Sequence, residues 1–574
     1  MKCSDFIAES LLIHGVTHVF EVVGGMITHL VDSLNRQAKI QIVSVHHEQA
    51  AAFAADAMGR LTGRPGVAMA TSGPGATNLL TGIGSCYFDS VPAVFITGQV
   101  NRSEQKGTRP VRQLGFQETD IVAMAAPVTK AAWRVTRAED IPALMRSAFE
   151  TAVSGRPGPV LIDVPMDVQR EDLSPHLLAA PSAAEDNSPV DPMDIEQVLT
   201  AAGEAQRPLV LIGGGVRAAR ADHLCRRFID RIGFPVVSSL MGLDVLPYSH
   251  PLRVGMIGSY GNRWANLAVG RCDFLLVLGS RLDVRQTGSD TAAFVGGRTI
   301  YHVDCDAAEV NNRVTGCHRV LAHLRPFLAQ AEKALATTGA PCSPEWLHEI
   351  AQLRRSWPDT AELAGVPGIN PNDLMHQLSS KSALARAYVT DVGQHQMWAA
   401  QSLELCEGQR FLTSGGMGAM GFGLPAAVGA AILRPEIPVV LIAGDGGFQL
   451  NIQELQTVAR NKLPIKIVIL NNKCHGMVRQ FQETYFNGRY QSTYWGYSAP
   501  HFDRVAQAYG IASCSVAAPD ELQAGLDELW NDPASAFLVE VAIEPLANTY
   551  PKIAFGQPMT EMEPQARPVA MEST

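Results

Sequence analysis

VVLIAGDGGFQLN (439–451) and IKIVILNNKCHGM (465–477) decide how this chain is read. Each opens with a β-branched run suited to a buried strand and closes on small, oxygen-bearing residues. Asp445 stands at the end of the first run and Asn472, 27 positions later, at the end of the second. In a parallel sheet, ligands sit beyond the carboxyl ends of the strands. Gly444, Gly446 and Gly447 let the backbone approach an anion and offer it N–H groups. The helical period of FQLNIQELQTVAR (448–460) adds a helix N-terminus. Asp445 alone would repel a phosphate there, and a divalent cation between the two reverses the sign. Mg²⁺ takes about six oxygens in a tight octahedron, often one or two carboxylates with substrate phosphates. Asp445, the amide oxygen of Asn472 and the backbone carbonyl of Cys474 would supply three of them. Either stretch alone also reads as an ordinary turn; the pair at two strand ends is the specific signal.

The chain has 574 residues, too many for one core, which points to three domains of ordinary size. With 46% hydrophobic and 18% charged residues, it reads as a well-buried globular protein. A net charge of −10 with no basic run argues against nucleic acid and anionic membranes as partners. The start, MKCSDFIAESLLIHG, has no signal-peptide core, and no apolar run approaches the ~18 residues that span a bilayer. Ten cysteines without CxxC pairs fit reduced thiols in a cytoplasmic enzyme.

Short apolar runs alternate with helical patterns, as in parallel sheets built from βαβ units. Expected strands in the first segment are 17–24, 40–47, 65–73, 93–99 and 159–165. Residues 170–192 lose periodicity and read as a linker. Strands at 207–215, 234–239, 272–280 and 299–306 follow, then a second break at 336–346. The last set is 385–393, 438–446, 464–472 and 535–543. The expected fold class is α/β, with three doubly wound parallel-sheet domains at 1–170, 190–335 and 360–550, and a tail at 551–574.

GDGGFQLNIQELQTVARNKLPIKIVILNN (444–472) resembles the thiamin-diphosphate motif, which begins GDG and ends NN. The likeness continues through HHEQAAAFAADAMGR (46–60), TSGPGATNLLTGI (71–83), FQETDIV (116–122), SGRPGPVLIDVP (154–165), VGQHQMWAAQ (392–401) and SGGMGAMGFGLPAA (414–427). Among thiamin-diphosphate enzymes it is most similar to the acetolactate (acetohydroxyacid) synthase family. That resemblance implies pyrimidine-binding, central flavin-type and diphosphate-binding domains, in that order. It also implies Mg²⁺ on Asp445, Asn472 and the Cys474 carbonyl, and a diphosphate against Gln394 and His395, with Met477 beside the cofactor.

Thiamin diphosphate works through the carbanion at C2 of its thiazolium, which needs an acid to exchange a proton with the aminopyrimidine ring. Glu48 opens an Ala-rich helix with little charge nearby, where desolvation keeps such exchange feasible near neutral pH. Read alone it is a first-turn acid favoured by the helix dipole; the resemblance makes it the family's activating glutamate. Met420 matches the apolar side chain that bends the cofactor, although by itself it reads as core. Phe116 and Gln117 match residues lining the substrate pocket, Val23 and Gly24 a loop at the reacting atoms, and Val478 and Phe481 the acceptor pocket. In the family the pyrimidine and diphosphate domains of one site come from different subunits, which implies a homodimer or homotetramer.

The middle segment resembles the family's flavin-binding domain, where FAD is retained without net redox turnover. Gly213, Gly214 and Gly215 would form the tight turn, and Arg281 and Arg285 would meet a diphosphate. Leu240, Met256, Gly258 and Asp304 match further flavin positions, as does Arg156 in the first segment.

Three departures from the family pattern bear on the acceptor. VFEVVGG (19–25) replaces VFGxPGG, placing Glu21 and Val23 in a loop near the reacting atoms. VNRSEQKGTRPVRQLG (100–115) is long and cation-rich, and Phe481 replaces a Trp associated with 2-ketobutyrate as acceptor. The expected function is a decarboxylating carboligase: pyruvate adds to the cofactor, loses CO₂, and the hydroxyethyl carbanion delivers an acetyl unit to an acceptor carbonyl. The alternatives are acetyl transfer to a nucleotide-linked keto-deoxysugar, pyruvate oxidase chemistry, and simple keto acid decarboxylation.

Overall fold

The computed structural model describes residues 1–173, 189–335 and 342–569. Each set of apolar runs builds a six-stranded sheet. The first holds β1 (His18–Val22), β2 (Gln41–Ser44), β3 (Gly66–Ala70), β4 (Ala93–Gln99), β5 (Ala131–Arg134) and β6 (Pro159–Pro165), in the order β2-β1-β3-β4-β6-β5. The second holds β7 (Pro208–Ile212), β8 (Val236–Ser238), β9 (Arg253–Met256), β10 (Phe274–Leu278), β11 (Thr299–Asp304) and β12 (His318–Leu321). Its order, β12-β11-β10-β7-β8-β9, is the dinucleotide-fold order 3-2-1-4-5-6 read from the other edge. The third holds β13 (Ala387–Thr390), β14 (Arg410–Leu412), β15 (Val439–Gly444), β16 (Ile465–Asn471), β17 (Ala512–Val516) and β18 (Phe537–Ala542). Its order, β14-β13-β15-β16-β18-β17, repeats that of the first sheet strand for strand.

The central strands are buried on both faces, as parallel strands between helices must be. β4, β7, β10, β15 and β16 carry no exposed residue, and their side chains are Val, Ile, Leu, Ala and Phe for the most part. Strands missed by the sequence reading are β5, β9, β12, β14 and β17, every one at a sheet edge.

The chain forms two compact units: Met1–Glu185 with Ser414–Glu436 and Leu450–Ile465, and Asp186–Thr413 with Ile437–Gln449 and Lys466–Thr574. In the first, the Ala-rich helix Glu48–Thr62 packs on the helix Gly423–Leu433. Residues Ala50–Ala55 are completely buried. In the second, the segment read as a tail is packed. Lys552–Ile553 and Met562–Glu563 pair antiparallel, and Ile553, Met559 and Met562 join the apolar core around the second sheet. Arg263 fixes this hairpin by donating to the carbonyl of Glu563 at 3.0 Å while pairing with Glu362.

Residues 174–188 of the linker read at 170–192, residues 336–341 of the second break and residues 570–574 of the tail lie outside the described residues. The helix Pro344–Ser356 begins inside that second break. Among the described residues, no helix is long and apolar enough to cross a membrane.

The helix pair in the first unit sets a test. A Cβ on Gly429 would lie 2.3 Å from the Ala54 carbonyl oxygen. Elsewhere in a helix, Gly→Ala stabilises by about 0.5–1 kcal/mol. Gly429→Ala is expected to destabilise instead, by roughly 1–3 kcal/mol from overpacking. Thermal unfolding reads the sign, and a raised Tm would refute this account of the helix contact.

Candidate active site

Several of the expected site residues stand at strand ends near the point where the strand order reverses, the place at which an α/β sheet opens a crevice. For the third sheet that point lies between β13 and β15. Asp445 follows β15 directly and begins a short helix, Asp445–Gln449. It is 2% exposed, and its Oδ2 has no hydrogen-bond partner. Burial pushes its carboxyl up to about 7, against the pull of the Tyr497 hydroxyl and the Gly446 backbone N–H.

Asn472 follows the neighbouring β16. Its Nδ2 donates to Gln394 Oε1 at 3.0 Å, and its Oδ1 accepts from the Cys474 N–H at 3.3 Å. Gln394 begins the helix after β13 and is itself held by donating to the Ala547 carbonyl at 2.9 Å. Three strand ends therefore meet through side chains. His395, beside Gln394, is buried with Nε2 unpartnered, and burial drives its imidazole down to about 3, so it is neutral.

The glycines here have a reason the sequence reading did not give. A Cβ on Gly444 would lie 2.7 Å from His395 Nδ1, one on Gly446 2.7 Å from the His475 ring, and one on Gly447 2.3 Å from Asp391 Oδ1. Side chains crowd this backbone so closely that nothing larger than hydrogen fits. The expected long helix after GDGG is also interrupted: after Gln449, a short 3₁₀ turn and the helix Leu455–Asn461 belong to the first unit.

A buried carboxylate oxygen without a donor, an amide oxygen and a nearby backbone carbonyl form a hard, oxygen-only set. That set suits Mg²⁺ and not a soft metal. Met477 and Val478 lie in the first turn of the helix Gly476–Tyr485, half-buried and exposed respectively. Phe481, on the same helix, packs against Tyr485 and Phe486 at ring distances of 4.7 and 5.9 Å.

In the first unit, Glu48 is the first residue of its helix and is 9% exposed. Its Oε2 accepts from Asn78 Nδ2 at 3.0 Å. Its Oε1 faces Gly75, where a Cβ would come within 3.1 Å. Gly24 presses on Thr71, and Gly73 on Gln117, with would-be Cβ distances of 2.5 and 2.9 Å. Gly24, Gln117 and Glu48 thus share the crevice at the β1/β3 reversal. Val23 and Phe116 point outward, 61% and 80% exposed.

The segment carrying Met420 is anchored to the same unit. Asp89 accepts the N–H groups of Gly415 and Gly416, and Asn451 Nδ2 donates to both the Gly421 carbonyl and Gln49 Oε1. Glu21 corrects an expectation. It is a strand residue of β1, 1% exposed, with Ser44 Oγ donating to it at 2.5 Å, so it is not in the loop at the reacting atoms. Burial raises its carboxyl.

The second sheet reverses between β7 and β10. Gly213 and Gly215 follow β7, and a Cβ on either would meet Gly279 after β10, at 2.0 and 2.8 Å. Gly214 packs on Met241, beside the half-buried Leu240. Arg281 lies just past β10, 3.4 Å from Asp283, and Arg285 is exposed. Gly258 has φ +114° and crowds the Arg285 carbonyl. Asp304 ends β11 and accepts the Asp306 N–H. Met256 is committed to the core with Leu243 and Trp398, and Asn262 uses both its backbone groups. Arg156 belongs to the first unit, where its Nε donates to Ser90 Oγ at 2.8 Å.

Asn78 and Tyr497 were not singled out from sequence. Asn78 lies in TSGPGATN, but no spacing rule ties it to Glu48, 30 positions earlier. Tyr497 reaches Asp445 through a segment without periodicity.

Comparison with known proteins divides the chain into the same three segments. Residues 1–124 match the family described as thiamine pyrophosphate enzyme, N-terminal TPP binding domain. Residues 195–331 match its central domain and 391–541 its C-terminal TPP binding domain. The chain is 38% identical over 570 residues to acetolactate synthase isozyme 2 large subunit of Escherichia coli, covering 98% of this chain and 99% of that one. It is 37% identical over 576 residues to chloroplastic acetolactate synthase 2 of Nicotiana tabacum, covering 97% and 84%. A probable acetolactate synthase large subunit of Methanocaldococcus jannaschii is 36% identical over 585 residues, covering 100% and 96%.

Proposed function

The chain belongs to the acetolactate synthase family of thiamin-diphosphate enzymes, and on that premise we propose how its own residues divide the carboligase reaction. When bound, thiamin diphosphate supplies a nucleophilic carbon and an electron sink for the loss of CO₂ from pyruvate. Asp445, Asn472 and the Cys474 carbonyl hold a Mg²⁺ that neutralises the diphosphate. Neutral His395 and Gln394 contact its oxygens, with Met477 alongside. Glu48, with Oε1 free, would hold or release the proton that the pyrimidine ring exchanges. Asn78 holds the other oxygen, and Gly75 leaves Oε1 uncovered. Met420 supports the bend of the cofactor, and Phe116, Gln117, Val478 and Phe481 surround the substrates. FAD would be held in the second-sheet crevice, with Arg281 and Arg285 available to its diphosphate. The active unit is a homodimer or homotetramer in the cytoplasm, each site completed by two subunits.

The observation that carries this reading is the donorless buried oxygen of Asp445 beside an Asn472 amide pinned by Gln394. A proton or a cation must compensate such a carboxylate. Glu48→Gln is expected to cut pyruvate decarboxylation by roughly 10²–10⁴-fold, the usual worth of a positioned proton-transfer group. Cofactor binding, followed by quenching of tryptophan fluorescence, should survive in that variant. Asp445→Asn should instead lose Mg²⁺-dependent cofactor binding. Wild-type turnover in Glu48→Gln would refute the assignment.

A second reading concerns the acceptor. The loop 100–118 folds around Glu118, whose carboxylate accepts the N–H groups of Lys106 and Leu114 at 2.6 and 2.8 Å. Gln99 ties its base by donating to the Thr119 carbonyl. Lys106, Arg109 and Arg112 have no ion pair among the described residues, and the loop ends at Gln117, against Gly73. This arrangement would suit an acceptor bearing phosphate, such as a nucleotide-linked keto-deoxysugar, as the alternative to a second pyruvate. Labelled pyruvate given alone and with such a sugar separates the two. The alternative requires transfer of label to the sugar, reduced at least tenfold in R109A/R112A. Full-rate acetolactate formation with no labelled sugar leaves pyruvate as the acceptor.

A further inference from the structure

We propose that Glu540 is a positioning residue for the metal-binding turn, acting through Asn471. The inference rests on the reading that Asn472 and the Cys474 carbonyl hold the divalent cation. Glu540 lies on β18, in register with Ile469 of β16 and Ser515 of β17. It is 7% exposed, a costly place for a carboxylate unless its oxygens are used.

Both are used. Oε2 accepts the N–H groups of Phe502 and Asp503 at 2.8 and 3.2 Å, and Oε1 accepts Asn471 Nδ2 at 2.6 Å. His501, Asp503 and Glu540 approach one another closely enough to suggest a cation site. Both oxygens of Glu540 already accept N–H donors, which marks it as an anchor.

The bond to Asn471 decides how that amide is oriented. With Nδ2 turned to Glu540, Oδ1 faces the chain ahead and accepts the Lys473 N–H at 3.0 Å. Lys473 is in the left-handed region, φ +53°, which costs a residue with a side chain roughly 1 kcal/mol or more. That conformation turns the chain back between Asn472 and Cys474. Asn471 also accepts the Ile543 N–H through its own carbonyl, at 3.1 Å. The two residues flanking Asn472 are therefore both fixed by a bond chain that ends on the Glu540 carboxylate. Asn472 is held independently from the other side by Gln394. Groups that orient metal ligands from behind are typically worth 10–100-fold in metal affinity.

Glu540→Gln leaves a single acceptor where the structure uses two, so either the Phe502 and Asp503 N–H groups or Asn471 loses its partner. The double variant E540Q/N471D restores the match: the new amide donates to the new carboxylate while its oxygen still accepts the two N–H groups. The measurement is Mn²⁺ affinity of the full-length protein with thiamin diphosphate, read by electron spin resonance. Melting of the metal-free protein serves as the folding control. Glu540→Gln is expected to bind Mn²⁺ at least tenfold more weakly, and E540Q/N471D to return within about threefold of wild type. Wild-type affinity in a folded E540Q, or no recovery in the double variant, overturns the proposal. Should E540Q not fold, Asn471→Ala removes the link alone; the same tenfold loss supports the proposal and unchanged affinity overturns it. Wild-type protein that binds no Mn²⁺ would instead sink the underlying metal reading.

Discussion

A carboxylate placed where water cannot solvate it is the constraint around which the third sheet is arranged. Asp445 sits at the mouth of β15 with one oxygen lacking any donor, and charging it there is costly without a cation or a proton. The surroundings follow from keeping that oxygen in place. Gln394 pins the Asn472 amide, His395 stays neutral beside the backbone, and Gly444, Gly446 and Gly447 are bare because His395, His475 and Asp391 fill the space where their side chains would go. The usual reading of such glycines, that they let an anion approach, is only half the reason. They also let the surrounding side chains close in.

The same device recurs on two other sheets. The first and third share one strand order, so each reverses direction between its first and third strands and opens a crevice there. In the first sheet that crevice holds Glu48, Gly24 and Gln117; in the third it holds Gln394, His395 and Asp445. Two buried carboxylates, Glu48 after the second strand of the first sheet and Asp445 after the third strand of the third, thus stand at strand ends on two copies of one topology. The middle sheet has the dinucleotide order instead. The outer two sheets thus share one strand order and the middle one has another, in step with the N-terminal, central and C-terminal domain matches.

Much of this was legible in the sequence because the informative strands are the central ones. Strands buried on both faces must be continuous apolar runs, and all of these were found: β4 and β6 were placed to the residue. The five strands missed lie at edges, where one side faces helix or solvent and the pattern breaks. β12 reads His-Arg-Val-Leu with one buried residue, and β17 reads Ala-Ser-Cys-Ser-Val with one. The C-terminal segment was misread for a related reason. Its packing rests on Arg263 and a short hairpin with a few scattered apolar residues, none of which makes a periodic signal. Around the candidate site, residues that stand in a motif can be named from sequence, whereas Asn78, Tyr497 and Glu540 cannot. Each acts through a contact that depends on tertiary folding and leaves no local pattern.

The glycine triplet after β7 shows how a motif can be accurate about a place and silent about its occupant. Side chains on Gly213 or Gly215 would run into Gly279, because the loops leaving β7 and β10 cross at the reversal of the second sheet. Those glycines are demanded by the crossing loops whether or not a dinucleotide lies above them. Met256 points the same way, since it belongs to the core with Trp398 and its backbone is engaged by Asn262. What remains to select a ligand is charge: Arg281 and Arg285 beyond β10, where a diphosphate would neutralise them. The fold builds the crevice with glycine, and two arginines stand just past β10.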